Sequence, residues 1–159
     1  MNKIQIIQTE KINNPEILTN IIYNNFKYLK DVIELHHTPK EIEQSIKANG
    51  SFNYLVYYMG NNSELIGYLI GNFKNLSDGR YVYYISYLYI IKKFRKSGIG
   101  TKLMNLLIEE CKNDEVKFII LTYDTCDDKI IKFYKKYGFV KDLILGKNNT
   151  QYNIFCLYL

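Results

Sequence analysis

The chain of 159 residues contains no tryptophan, two prolines, two histidines and three cysteines, and it has no long apolar run. No stretch approaches the roughly 20 apolar residues of a transmembrane helix, and the N-terminal apolar segment is too short for a secretory signal. The cysteines, Cys111, Cys126 and Cys156, are odd in number and lack the spacing of a metal site. We therefore expect reduced thiols in a cytoplasmic protein.

The few histidines also argue against a metal site. His36 and His37 are adjacent and therefore point to different sides, and no third ligand follows at helical spacing. Cys126 has no placed histidine partner, so we expect an inert thiol and not a nucleophile.

The remaining composition is that of an ordinary soluble globular protein, with 47% hydrophobic and 23% charged residues. No repeat, low-complexity tract or linker divides the chain, so residues 1–159 most simply form one domain. The net charge of +5 is modest and favours an anionic ligand. A nucleic-acid-binding domain usually shows a longer basic stripe than this sequence contains.

The pattern of apolar, capping and turn residues predicts strands and helices in the order β-α-α-β-β-β-α-β-α-β-β. The two prolines mark helix starts: Asn14-Pro15-Glu16 has a capping side chain before the proline and an acid after it, and Thr38 and Glu41 around Pro39 have the spacing of a capping box. The run Tyr81–Ile91 lacks polar alternation, which is typical of a central strand buried on both faces. The predicted strands are 3–9, 52–59, 64–73, Tyr81–Ile91, Val116–Tyr123, 140–145 and 151–158; the helices run from Asn14 to near His36, from Thr38 to near Gly50, over Ile99–Cys111 and within 127–139.

The segment Leu88–Leu103, LYIIKKFRKSGIGTKL, places a basic turn with two glycines between an apolar run and an amphipathic helix. Gly98 and Gly100 lack a Cβ, so the turn can bring its N–H groups close to a ligand. The helix that follows adds unpaired N–H donors and the positive end of its dipole. Arg95 and Lys96 add full positive charge at the same place. The sequence therefore predicts a site for a phosphate-bearing cofactor.

The glycines of this turn fit neither of the two best-known phosphate loops. The Walker spacing G-x-x-x-x-G-K-[ST] is absent, and the dinucleotide pattern G-x-G-x-x-G fails at its third glycine. The pattern that remains, R-x-x-G-x-G at Arg95, Gly98 and Gly100, resembles the pyrophosphate-binding signature [QR]-x-x-G-x-[GA] of the GNAT acyltransferase superfamily. A longer family string, L-x-V-x-P-x-[YF]-R-G-x-G-I-G, is also similar in register, except that Lys92 and Lys96 replace a proline and a glycine.

A second block, DDKIIKFYKKYGF at residues 127–139, resembles the family's helix N-x-x-A-x-x-F-Y-x-x-x-G-F. In such enzymes the tyrosine at the position of Tyr134 often lies near the sulfur of CoA and can protonate the leaving thiolate. The resemblance therefore implies that Tyr134 is the general acid. Phe133, Tyr134, Gly138 and Phe139 match the family pattern, whereas Asp127 and Ile130 replace its asparagine and alanine.

The two blocks imply an α/β (α+β) GNAT-like fold with a mixed, mostly antiparallel central sheet, helices on both faces, and a slot where strands four and five splay apart. They also imply an N-acetyltransferase that moves an acetyl group from acetyl-CoA directly to an amine in a ternary complex, without a metal. In this fold, backbone groups of the fourth strand pair with the pantetheine arm. The residues implied at the cofactor are Leu88, Tyr89, Ile90, Arg95, Lys96, Ser97, Gly98, Ile99, Gly100, Thr101 and Asp127.

The group that deprotonates the amine is left open by the sequence. Many relatives place a glutamate on the fourth strand or its neighbour, but YVYYISYLYI contains no carboxylate. A base acting through ordered water, or an amine that arrives neutral, is equally plausible. By the resemblance, the segment Leu35–Thr38 shapes the acceptor pocket. Conceivable bases without a spacing argument are Glu34, His36, Glu64 and Asp124.

Two other functions stay open. A catalytically silent CoA-binding sensor or scaffold would share the phosphate turn, and the missing fourth-strand carboxylate mildly favours it. A nucleic-acid-binding domain would use the basic run KKFRK and the tyrosines, although sixteen tyrosines beside no tryptophan also reflect a coding bias. Composition does not separate a small amine, an amino acid or drug, or a protein amine as acceptor. The edge of the final hairpin offers a route to a homodimer.

Overall fold

The computed structural model describes residues 3–9, 15–26, 39–145 and 152–159. The order of strands and helices in these ranges is the predicted one. No helix in the same ranges is both long enough and apolar enough to cross a membrane. The strands are β1 (Ile4–Thr9), β2 (Ser51–Met59), β3 (Ser63–Asn75), β4 (Tyr81–Ile90), β5 (Phe118–Asp124), β6 (Val140–Lys141) and β7 (Tyr152–Tyr158); the helices are α1 (Pro15–Phe26), α2 (Pro39–Lys47), α3 (Ile99–Asn113) and α4 (Asp128–Lys135).

The strands form one mixed sheet in the order β1-β2-β3-β4-β5-β7-β6. Neighbouring strands are antiparallel, with the exception of β4 and β5. The parallel pair follows from the connection, because α3 carries the chain back to the starting edge before β5 begins. The predicted fold class, a mixed and mostly antiparallel sheet, is confirmed.

A bulge in β4 sends neighbouring tyrosines to opposite faces of the sheet. The register between β3 and β4 shifts by one residue, which leaves Ser86 as the extra residue of β4. Tyr83, before the bulge, lies close to Cys111 of α3. Tyr87, after the bulge, hydrogen-bonds Ser45 of α2. Helices therefore cover both faces of the sheet, as predicted.

The buried apolar residues form a large and a small cluster. The large cluster joins all four helices to the sheet, and Leu103, Met104 and Leu107 form its stripe on α3. The small cluster consists of Val82, Ile120 and Cys156, which are the residues of β4, β5 and β7 that alternate with members of the large cluster. The small cluster therefore lies on the face of the sheet opposite α3.

The strand predicted over 140–145 is wrong beyond Lys141. The chain turns after β6 because the buried carboxylate of Asp142 accepts hydrogen bonds from two different parts of the chain. Its oxygens accept hydrogen bonds from the guanidinium of Arg80 at 2.9 and 3.0 Å, and one also accepts the N–H of Leu145 at 2.8 Å. A buried carboxylate needs such partners, and an extended strand would not supply the Leu145 bond.

Several sequence predictions lie outside the described residues. These are the helix caps at Asn14 and Thr38, the continuation of the first helix to His36, and the centre of the final hairpin at 146–150. Within the described ranges, the hairpin turn at residues 60–62 joins β2 to β3 as predicted.

Candidate active site

The connection between β4 and α3 has the backbone of an anion cradle. A 3₁₀ turn over Lys92–Phe94 follows β4, and α3 begins at Ile99 without a side-chain cap. The first hydrogen bond of the helix runs from the N–H of Lys102 to the carbonyl of Gly98, at 2.9 Å. The N–H groups of the first helical turn therefore have no carbonyl partner within α3 and can bind a phosphate.

Two residues of the cradle have left-handed backbone conformations. Gly98 has φ of +86°, and a Cβ placed there would meet no atom within 4 Å, so the space beside it is open to a ligand. Lys96 has φ of +63° at the position where the family string carries glycine. An open cavity of about 320 Å³ adjoins the cradle and is lined by Ile4, Phe94, Ser97, Gly98, Ile99 and Lys102.

The side chain of Arg95 binds the end of β4. Its Nε donates a hydrogen bond to the carbonyl oxygen of Ile90 at 2.7 Å, and its guanidinium lies 5.1 Å from the centre of the Tyr89 ring. Both contacts join the cradle to the strand before it. Arg95 therefore sets the position of the cradle relative to β4, in addition to the charge it brings.

Helix α4 packs against the first turn of α3. A Cβ at Gly100 would lie 3.3 Å from Cζ of Phe133, closer than ordinary contact, so the glycine lets the two helices approach. Asp127 caps α4, because its carboxylate accepts the N–H of Ile130 at 3.1 Å. A contact between Asp127 and the cofactor stays a prediction.

A cation that the sequence analysis did not single out lies at the same place. Nζ of Lys136 donates a hydrogen bond to Oγ1 of Thr101 at 3.2 Å and lies 4.6 Å from the centre of the Phe133 ring. Thr101 is in the first turn of α3, so Lys136 adds positive charge to the cradle. Lys136 is the second lysine of FYKKYGF. The sequence does not show that it lies near the cradle, because that position depends on the packing of α4 against α3.

The slot opens where the pairing of β4 and β5 ends. β5 pairs with β4 only over Val82–Ile85, although β4 continues to Ile90. Past Ile85 the strand keeps its pairing with β3 on the other side. The two strands therefore splay apart as expected, and Leu88, Tyr89 and Ile90 lie beyond the last pair, beside the opening.

Tyr134 is buried on the inner face of α4. It is 7% exposed, and its ring makes edge-to-face contacts with Phe133 and Phe139 at centroid distances of 5.0 and 5.2 Å. Burial raises the pKa of Tyr134 above its ordinary value, and the nearby Tyr137 raises it further. The hydroxyl therefore carries its proton at neutral pH, as a proton donor must.

A pair of hydroxyls at the apex of the slot was missed by the sequence analysis. Oη of Tyr84 and Oγ1 of Thr122 lie 2.8 Å apart in a solvent-exposed hydrogen bond between β4 and β5. Nζ of Lys74 lies 4.4 Å from the centre of the Tyr84 ring. Nothing in the sequence distinguishes Tyr84 from the other tyrosines of β4, so only the register of the strands reveals the pair.

The conceivable bases form no cluster in the described part of the chain. Glu64 lies near the start of β3 and Asp124 at the end of β5, on strands that β4 separates. Oδ1 of Asp124 accepts the N–H of Cys126 at 2.9 Å. Glu34, His36 and the rest of Leu35–Thr38 lie outside the described residues. The described ranges also contain no group of three or more metal-binding side chains.

Comparison with other sequences finds similarity over the region that contains this site. The profile of the Acetyltransferase (GNAT) family matches residues 19–139. Alpha-tubulin N-acetyltransferase of Plasmodium falciparum is 30% identical over 113 residues. That alignment covers 67% of this chain but 59% of the relative, so the chain spans less than two thirds of the relative's length.

Solved structures share the fold at much lower identity. NAA60 of Arabidopsis thaliana in complex with acetyl-CoA superimposes with a TM-score of 0.69 at 15% identity, over 98% of this chain and 99% of that protein. The ribosomal-protein-S18-alanine N-acetyltransferase of Escherichia coli gives a TM-score of 0.66 at 12% identity, over 96% and 91% of the two chains. These likenesses extend the match from the two sequence blocks to the whole architecture.

Proposed function

Because this chain belongs to the acetyltransferase (GNAT) family, we propose that it moves an acetyl group from acetyl-CoA to an amine of a protein or peptide. The observation that carries the proposal is the position of the anion cradle. The cradle directly follows β4, and β4 is no longer paired with β5 after Ile85. Acetyl-CoA has phosphates at one end and a thin acetylated arm at the other. The phosphates fit the anion cradle, and the arm fits the slot between β4 and β5. The acceptor class follows the alpha-tubulin and ribosomal-protein acetyltransferases, whose names specify protein substrates.

The residues of the cradle fit the phosphates of acetyl-CoA. The N–H groups of the first turn of α3 would bind the pyrophosphate, and the open side of Gly98 leaves room for it. Arg95, Lys96 and Lys136 would neutralise its charge. Contacts from the remaining predicted residues stay part of the proposal: Leu88, Tyr89, Ile90, Ser97, Ile99, Gly100, Thr101 and Asp127.

Acetyl transfer requires an amine with a free electron pair, a polarised carbonyl and a proton for the departing sulfur. In our proposal a backbone N–H of Leu88–Ile90 polarises the thioester oxygen while the arm pairs with β4. The amine nitrogen bonds to the acetyl carbon as the C–S bond breaks, and the nitrogen then loses one proton to solvent. Tyr134 gives its proton to the sulfur, because its hydroxyl is protonated and α4 flanks the cradle.

A second function, that of a CoA-binding module without turnover, is supported by one feature. The strand β4, YVYYISYLYI, supplies no carboxylate to act as a base. Such a module would bind acetyl-CoA like the enzyme but release no CoA in the presence of amines. A nucleic-acid-binding protein would instead ignore CoA and bind DNA or RNA with a steep dependence on salt.

The first test is a calorimetric titration of the protein with acetyl-CoA. We expect saturable binding that Arg95→Ala weakens about tenfold, since it removes a charged hydrogen-bonding group. Lys93→Ala is the matched control, because Lys93 is an exposed cation of the same turn outside the predicted contacts. No binding by the folded wild type would contradict the assignment of the cradle.

The second test separates the enzyme from the silent module. The protein is incubated with acetyl-CoA and a pool of synthetic peptides, each carrying a free α-amine and one lysine. Release of free CoA thiol together with a peptide mass increase of one acetyl group supports transfer. Binding of acetyl-CoA with no transfer to any peptide would exclude the proposed acceptor class.

The organisation, location and assembly of the protein also stay predictions. We propose a single domain over residues 1–159 and a cytoplasmic location. A homodimer through the final hairpin would use β6 at the sheet edge, which has only two residues, Val140 and Lys141. Light scattering on the purified protein measures the assembly directly.

A further inference from the structure

The anion cradle carries a serine that is exposed to solvent. Ser97 directly precedes Gly98, the residue from which α3 begins, and its hydroxyl donates a hydrogen bond to the carbonyl oxygen of Phe94. The same side chain lines the open cavity of about 320 Å³ beside the cradle. A group attached to the Ser97 oxygen would therefore stand at the edge of the space in which the phosphates of acetyl-CoA are proposed to bind.

The residues before Ser97 are strongly basic. Four of the five residues from Lys92 to Lys96 are cations, and the next acidic residue along the chain is Glu109. The lysines among these cations are exposed, and the backbone at the remaining one, Arg95, is extended. Protein kinases select their substrates by the pattern of charge around the target hydroxyl. An exposed serine after such a run is complementary to a kinase with an acidic substrate groove.

We propose that Ser97 is a phosphorylation site and that its phosphate prevents acetyl-CoA from binding. This inference rests on the acetyl-CoA binding of the proposed function and adds a means of regulating it. The Ser97 oxygen bonds to the γ-phosphorus of a nucleoside triphosphate held by the kinase, and the bond from that phosphorus to its bridging oxygen breaks. Nucleoside diphosphate leaves with the electron pair of the broken bond, and the hydroxyl proton passes to solvent. Hydrolysis of the phosphate ester restores the serine.

The charges of the cradle explain why this phosphate excludes acetyl-CoA. A phosphoserine carries a charge of about −1.5 to −2 at pH 7, and its oxygens accept strong hydrogen bonds. The neighbouring cations Arg95 and Lys96 and the positive end of α3 would pair with it. Because the phosphate is covalently attached, it is always present at high local concentration, whereas acetyl-CoA must arrive from solution. The pyrophosphate of acetyl-CoA would also be repelled by a second anion beside it.

The test uses the full chain and a serine kinase chosen because it phosphorylates a synthetic peptide of residues 90–100, in which Ser97 is the only hydroxyl. The protein is treated with this kinase and Mg–ATP, and mass spectrometry locates the phosphate. Calorimetry then compares acetyl-CoA binding before and after treatment. We expect phosphate at Ser97 and a Kd for acetyl-CoA at least about tenfold higher. Saturating acetyl-CoA should in turn slow phosphorylation of Ser97, because binding of the two anions is reciprocally coupled.

Three variants test whether the position of the charge matters. Ser97→Ala should accept no phosphate at this position, and kinase treatment should leave its acetyl-CoA affinity as it was. Ser97→Glu places a permanent negative charge in the cradle and should weaken acetyl-CoA binding without any kinase. Ser77→Glu is the matched control and should not weaken it. Ser77 is also an exposed serine, but it lies in the connection from β3 to β4, at the end of β4 opposite the cradle.

The outcomes separate this inference from the function on which it rests. A folded protein that accepts no phosphate at Ser97, or that binds acetyl-CoA equally well after modification, overturns the inference while acetyl-CoA binding stands. An equal loss of affinity in Ser97→Glu and Ser77→Glu also overturns it, because the position of the charge is then irrelevant. Unmodified wild-type protein that does not bind acetyl-CoA overturns the proposed function, and the inference with it.

Discussion

The ammonium of Lys136, at the C-terminal end of α4, lies 3.2 Å from the hydroxyl of Thr101 in the first turn of α3. The helices that carry them are far apart in sequence and meet because Phe133 packs on Gly100. The positive end of the α3 dipole and a full positive charge are thereby placed together. Two features that each attract an anion weakly therefore lie side by side.

Lys136→Met is expected to weaken acetyl-CoA binding by about five- to tenfold, because a charge-assisted contact to phosphate is lost while the apolar stem is retained. The effect should shrink at high salt, which screens an exposed charge. Lys135→Met is the control, since Lys135 has the same chemistry one residue earlier on the exposed side of α4. Equal affinities for the two variants in calorimetry would contradict the role of Lys136.

Gly100→Val is expected to lower the free energy of unfolding by about 1–3 kcal/mol, because added methyl groups must displace a packed ring. The ring in question is that of Phe133, 3.3 Å from where the new Cβ would stand. Adding Phe133→Leu to the variant should recover part of the loss. Denaturant unfolding measures both, and additive effects of the two substitutions would argue against a direct contact.

Lys96→Gly is expected to raise the free energy of unfolding by about 1 kcal/mol, because a non-glycine residue is strained at positive φ. Lys96 has φ of +63° in the cradle. The same variant should bind acetyl-CoA more weakly, since it loses a positive charge, so stability and affinity move in opposite directions. Lys93→Gly lies in the preceding 3₁₀ turn and should only destabilise. A loss of stability in both variants would contradict the strain at Lys96.

Tyr134→Phe is expected to lower turnover by roughly ten- to a thousandfold with acetyl-CoA affinity unchanged, because only the proton donor is removed. Tyr137→Phe is a close control on the same segment. The Tyr137 hydroxyl is buried with no hydrogen-bond partner in the described part of the chain, so its removal should cost no stability. Stopped-flow measurement of CoA release isolates the chemical step. Unchanged chemistry in Tyr134→Phe would remove Tyr134 from the mechanism.

Asp142→Asn is expected to destabilise the protein by about 2 kcal/mol at neutral pH, because Arg80 loses its buried partner and keeps only the ion pair with Asp78, at 2.7 Å. Hydrogen bonds from Arg80 lower the pKa of Asp142 below its ordinary value, and the Leu145 N–H lowers it further. A carboxyl with a lowered folded-state pKa contributes its full stability above about pH 4, and the contribution is lost as pH falls through the folded value. The difference between the melting curves of wild type and variant should therefore become smaller as the pH falls from about 7 to about 3. A constant difference across that range would contradict the ion pair as its cause.

Much of the fold and one half of the site could be predicted from local patterns. The cradle follows from contiguous residues, since Gly98 adopts a conformation suited to glycine and the helix begins one residue later. Capping at Asp127 and the turn between β2 and β3 are equally local. The predicted length of β6 was wrong because the partner of Asp142 is Arg80. Arg80 is 62 residues away, and no sequence pattern indicates that the two side chains meet.

By itself, the sequence determined the family, the order of the elements and the position of the basic, glycine-containing turn, because these depend on residues that are neighbours along the chain. The tertiary structure alone decided which hydroxyls face each other at the slot and which lysine reaches the cradle. The Tyr84–Thr122 pair depends on the register between β4 and β5, and the Lys136–Thr101 pair on the packing of α4 against α3. Such pairs arise from packing the whole core, and a one-residue change of strand register would turn Tyr84 or Thr122 to the other face of the sheet.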